Sequence, residues 1–68
     1  MDESVGEFIE RMGLTLEGEG LPLIAGRLFG FLLVYPEAYS LDELAEKLQV
    51  SKASISTNAR QLEEHGIL

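Results

Sequence analysis

Residues 40–68 read SLDELAEKLQVSKASISTNARQLEEHGIL, and this stretch decides the fold. Ser40 precedes Glu43 by three positions, the S-x-x-E spacing of a capping box. In such a box a hydroxyl and a carboxylate each take up a backbone N–H that a helix start leaves free. Leu41, Leu44, Ala45 and Leu48 follow at helical spacing and form one apolar stripe. Gln49 and Val50 interrupt it. Ser51 is a second N-cap, placed before Lys52. Ile55, Ala59 and Leu62 make the next stripe, and Gly66 stands where the chain can turn left-handed and end a helix. Ile67 and Leu68 are apolar again, as the opening of a strand would be. The expectation is two short helices, 41–48 and 52–65, joined by a tight turn: a helix–turn–helix. Ala45 is small, which lets the second helix cross the first closely.

The second helix presents an unusual outer face. With Ile55 at the centre of its buried side, a period of about 3.6 residues turns Ala53, Thr57, Arg60 and Glu64 outward. Ser54 and Gln61 flank one side and Ser56 the other. Short side chains let a helix backbone approach a groove closely. Hydroxyls can donate to phosphates or base edges, and Ala and Thr can touch thymine methyls. Arg60 suits a guanine edge or a phosphate. A serine cap at a helix N-terminus commonly sits beside a phosphate, which adds Ser51. The candidate DNA-binding residues are Ser51, Lys52, Ala53, Ser54, Ser56, Thr57 and Arg60.

LDELAEKLQVSKASISTNARQLEEHGIL resembles the helix–turn–helix of MarR-type winged-helix regulators. The preceding LPLIAGRLFGFLLVYPEAYSL, with its proline, its Ile-Ala-Gly-Arg and an apolar helix closed by a second proline, is similar to the GbsR branch. The likeness spans about Leu21 to Leu68. It implies a dimeric, sequence-specific DNA-binding transcription regulator, with double-stranded DNA as partner and a small-molecule effector left open. Gln49 departs from the glycine common in the turn, and Asn58 stands near a position often apolar. The family's wing hairpin and C-terminal dimer helices would follow Leu68, so the sequence is read as the N-terminal portion of a longer protein. The expected class is all-α as given: a (winged) helix–turn–helix domain of four helices, its wing missing after Leu68.

A chain of 68 residues makes one small domain, marginal without a partner. There is no Cys, hence no disulfide and no thiol chemistry. No basic segment precedes an apolar run at the N-terminus, and the expected location is cytoplasmic. The net charge of −7 argues against nucleic acid, since phosphate affinity needs basic surface. Its distribution softens that objection. Asp2, Glu3, Glu7, Glu10, Glu17 and Glu19 all precede the helix–turn–helix, whereas SKASISTNARQL carries Lys52 and Arg60 and no acid.

Residues 1–20 form a first unit. Ser4 and Glu7 offer another capping box, and Val5, Phe8, Ile9, Met12 and Leu16 make an apolar stripe opposite Glu7, Glu10 and Arg11. This helix either covers the domain core or, as the resemblance implies, joins a dimer interface. Glu17-Gly18-Glu19-Gly20 is a loop. Residues 21–68 hold the rest. Leu21–Tyr35 is apolar nearly all round and reads as the central core helix, with Pro22 in its first turn. It is too short for a membrane span and carries Arg27, which extends to solvent or pairs with an acid. Gly26, Gly30 and Ala25 form a flat strip suited to close helix packing. Pro36 stops the helix. Tyr39 and Leu41 are expected to pack back on the core, and a two- or three-residue strand is expected near Pro36–Tyr39.

Catalysis is not expected. His65 is the only imidazole and sits at a helix end, where a cation suits the dipole. The usual zinc sets are absent, adjacent acids point apart, and Gly18-Glu-Gly20 is no nucleotide loop. No metal or cofactor is therefore assigned. Glu43 and Lys47 have the spacing of a weak surface pair. The rival to a DNA-binding regulator is an acidic winged-helix protein–protein interaction module without DNA binding, using its charge and the Gly26/Gly30 strip.

Overall fold

A computed structural model describes residues 2–68. These form four helices: α1 (Glu3–Glu17), α2 (Leu23–Val34), α3 (Leu41–Leu48) and α4 (Lys52–Glu64). The fold is all-α, with α3 and α4 as the helix–turn–helix. Among the described residues there is no strand. The expected strand near Pro36–Tyr39 is instead a bend, with Glu37 N–H bonded to Tyr35 O at 2.8 Å, and Ile67 does not begin a strand. Its N–H instead bonds Leu62 O at 2.9 Å, folding the chain back on α4.

Local chemistry sets the helix ends. α1 is capped by Asp2, whose carboxylate accepts the Ser4 N–H at 3.0 Å. The expected Ser4/Glu7 box is not the cap: Asp2 is as good an acceptor, begins the helix earlier and leaves Ser4 inside the first turn. α1 ends at Glu17 with Gly18 as its C-cap, and Gly20, at φ 90°, turns the chain so that Leu21 N–H bonds Leu16 O at 3.0 Å. Pro22 is the N-cap of α2 rather than a first-turn residue, and its carbonyl accepts from Ala25 N at 3.0 Å. α2 is thus Leu23–Val34 instead of 21–35, and α4 stops at Glu64 with His65 as its cap.

The α1–α2 crossing is made by glycine. A Cβ on Gly26 would stand 2.5 Å from Met12 O and 2.6 Å from Gly13 Cα, so the two backbones touch. A Cβ on Gly13 would meet Leu23 Cδ1 and Arg27 Cγ, each at 3.0 Å. α1 is therefore part of the core, and through it Ile9 is 2% exposed. Close helix packing is what the small-residue strip of α2 serves. The same strip is no longer open to a protein partner, because α1 fills it.

α2 carries the centre of the core. Leu28 and Phe31 are buried beneath Leu44 and Leu48 of α3 and Ile55 and Leu62 of α4. Burying each such side chain contributes about 1.5–3 kcal/mol. Leu41 departs from its expected role and is 48% exposed, at the first position of α3 where the apolar stripe runs out past the core. Tyr39 does pack back, its ring edge-on to Phe31 at 5.3 Å between centroids.

Candidate nucleic-acid interface

The start of α3 is fixed by the box that its sequence spells. Ser40 Oγ accepts Glu43 N–H at 3.1 Å, and Glu43 Oε1 accepts Ser40 N–H at 3.0 Å. These bonds to Ser40 hold the Glu43 carboxyl below its usual 4.5, with Lys47 adding a weaker Coulombic pull. No ion pair closes between Glu43 and Lys47, because the carboxylate is committed to the cap.

The turn follows from residue 49. Gln49 lies at φ 58°, ψ 46°, the left-handed region that suits glycine. Val50 N–H then bonds Ala45 O at 3.0 Å and Gln49 N–H bonds Glu46 O at 3.3 Å, which closes α3 and reverses the chain. Ser51 caps the next helix, its Oγ accepting Ser54 N–H at 3.0 Å. At the far end Gly66, at φ 73°, gives its N–H to Glu63 O at 3.0 Å. The exposed His65 ring places Nδ1 2.9 Å from Gln61 O, a helix-end contact.

These ends set the rotation of α4. Ile55 and Leu62 face the core at 0% exposure. Ala53, Thr57 and Arg60 are exposed on the opposite side, Ser54 and Ser56 are half-buried along its two borders, and Ser51 and Lys52 are exposed at the helix start. Ala53, Thr57 and Arg60 thus share the outer face of α4, with Ser54 and Ser56 at its borders and Ser51 and Lys52 at its N-terminal end. The side chains nearest the helix start are short, and the N–H groups of Lys52 and Ala53 open toward solvent at a positive helix end.

Charge on this surface is thinner than the sequence implied. Lys52 Nζ lies 3.3 Å from Asp42 Oδ1 of α3, with both side chains largely exposed. Such a pair across a turn has no helical spacing to betray it, and no signal in the sequence pointed to it. Arg60 forms no ion pair among the described residues. Arg27 is not part of this surface. Its Nε stands 3.1 Å from Glu10 Oε1, a Coulombic contact without good hydrogen-bond alignment, and its Nη2 reaches Leu48 O at 3.5 Å. It ties α1 and α2 to the negative end of α3.

Away from this surface, Phe31, Tyr35, Tyr39 and Lys47 line a shallow hollow of about 170 Å³. Burial pushes the Tyr39 phenol above its usual 10.0, with Glu37 and Glu43 adding to the effect. Among the described residues no group of three or more His, Asp or Glu side chains could hold a metal ion. Among the described residues no helix is long and apolar enough to cross a membrane.

The chain is 46% identical, over 68 residues, to the HTH-type transcriptional regulator MmpR5 of Mycobacterium tuberculosis. It is similar to a transcriptional regulator with a helix–turn–helix. The alignment takes in 98% of this chain and 41% of the relative, so the chain spans about two fifths of that protein's length. No family model matches, and no solved structure does.

Proposed function

We propose that this chain is the DNA-reading part of a winged-helix transcription regulator of the GbsR/MarR type. It acts as a homodimer on double-stranded DNA in the cytoplasm, with α4 in the major groove. The observation that carries this reading is the outer face of α4: short side chains, a capped N-terminus at the surface, and Arg60 exposed one turn beyond Thr57. The similarity to a helix–turn–helix transcriptional regulator supports it.

The roles divide by chemistry. Ser51, Lys52 and the open N–H groups of the first turn of α4 take a phosphate, which fixes the helix in register. Ala53, Ser54, Ser56 and Thr57 are short enough for base edges to reach the backbone, and Arg60 pairs with guanine or a phosphate. Two copies place their helices about 34 Å apart, in successive major grooves. The acidic remainder of the surface keeps the affinity of each unit low. Specificity then depends on both copies engaging.

The test is binding of the intact protein to a duplex enriched from a randomised library, measured across salt concentrations. Affinity should fall linearly with salt on logarithmic axes. Arg60→Ala should weaken binding by about 1–3 kcal/mol and relax preference at one base position. Unchanged affinity and preference in that variant would remove Arg60 from the interface, and the absence of any enriched duplex would defeat the reading.

A further inference from the structure

Asn58 is an amide where the core of α4 should be apolar. It is 6% exposed, on the same face as Ile55 and Leu62. Its Nδ2 donates to Ser54 O at 2.7 Å and stands 3.3 Å from Ser54 Oγ. Its Oδ1 is buried without a partner. An orphaned buried acceptor costs stability, and a leucine here would not carry that cost.

The amide cannot turn over to relieve it. A half-turn would set Oδ1 against Ser54 O at 2.7 Å, two acceptors face to face. Nδ2 therefore stays on Ser54. An amide nitrogen accepts no hydrogen bond, so Ser54 Oγ is the acceptor in their contact and its own proton points elsewhere. The backbone of Ser54 is held as well, its N–H on Ser51 Oγ at 3.0 Å.

We infer that Asn58 is a positioning residue for recognition: it fixes the Ser54 hydroxyl as a donor toward the DNA side of α4. Ser54 then selects acceptor atoms, namely a phosphate oxygen or the major-groove acceptors of guanine, adenine N7 or thymine O4. This rests on α4 being the DNA-reading helix, and it explains why a group that weakens the core sits in it.

The test is a double-mutant cycle in the intact protein, using the duplex enriched by the wild type, with thermal melting measured in parallel. Asn58→Leu should lower affinity about three- to tenfold, the size of one neutral hydrogen bond, while the melting temperature holds or rises. Ser54→Ala should lose a similar factor. Asn58→Leu added to Ser54→Ala should lose nothing further, because the hydroxyl it would orient is gone. Asn58→Met repeats the cycle with a more adaptable side chain should the leucine variant misfold. Additive losses, or full affinity in both Asn58 variants, overturn the inference while leaving the DNA reading intact. A wild type that enriches no duplex overturns both.

Discussion

Between α1 and α2 the backbones touch at glycines, whereas α3 and α4 contain no glycine and contribute Leu44, Ala45, Leu48, Ile55 and Leu62 to the core. Gly13 and Gly26 bring the first pair so close that a methyl group would strike a carbonyl and a Cα. The second pair is spaced by Leu44, Leu48, Ile55 and Leu62 and held at its ends by Ser40, Glu43 and Ser51. The first crossing is intolerant and uses up its facing surfaces. The second is anchored from inside and at its tips, which leaves the outer face of α4 free to vary in sequence without loss of fold. On the proposed function, stability and DNA reading fall to different helix pairs.

The largest effect that could break this comparison is at Gly26. Gly26→Ala should lose about 2–3 kcal/mol in chemical denaturation, overpacking outweighing the helix preference of alanine. Gly6→Ala is its control: nothing lies within 4 Å of a Cβ there, and the variant should gain about 0.5–1 kcal/mol. Equal responses at the two glycines would mean that the close crossing is not what α1 depends on. On the helix–turn–helix side, Gln49→Gly should stabilise by about 0.5–1 kcal/mol, since it relieves a left-handed Cβ and gives part back to unfolded-chain entropy. A loss would show that the Gln49 side chain contributes a contact of its own.

The smallest expected effect is the pH dependence of the α3 cap. Glu43 has a folded pKa below its usual 4.5. Its contribution is therefore fully present above that value and is lost as pH falls through the lower folded one. Melting temperatures followed down to about pH 2 should show a steeper acid-side decline in the wild type than in Glu43→Gln. Identical profiles would remove the carboxylate from the cap.

Much of this was legible beforehand, for reasons that differ by region. The box at Ser40, the cap at Ser51, the left-handed Gly66 and the outward set Ala53, Thr57 and Arg60 all depend on spacing within one helix, and a sequence prints such spacing directly. Contacts across elements were not legible. Nothing in the sequence ties Lys52 to Asp42, or puts Gly13 against Gly26, because those depend on how helices cross. Asn58 lay between: the family resemblance marked its position as near one often apolar, but its bond to Ser54 and its orphaned oxygen needed coordinates. At the N-terminus two caps competed within three residues, and Asp2 took the place expected for Ser4.

The most direct test of the division between platform and reading surface is backbone amide exchange of the intact protein, with and without the enriched duplex. Slowed exchange concentrated from Val50 through Arg60, with α1 and α2 unchanged near Gly13 and Gly26, is the predicted result. Slowing centred on α1, with the first turns of α4 unaffected while DNA is bound, would contradict it.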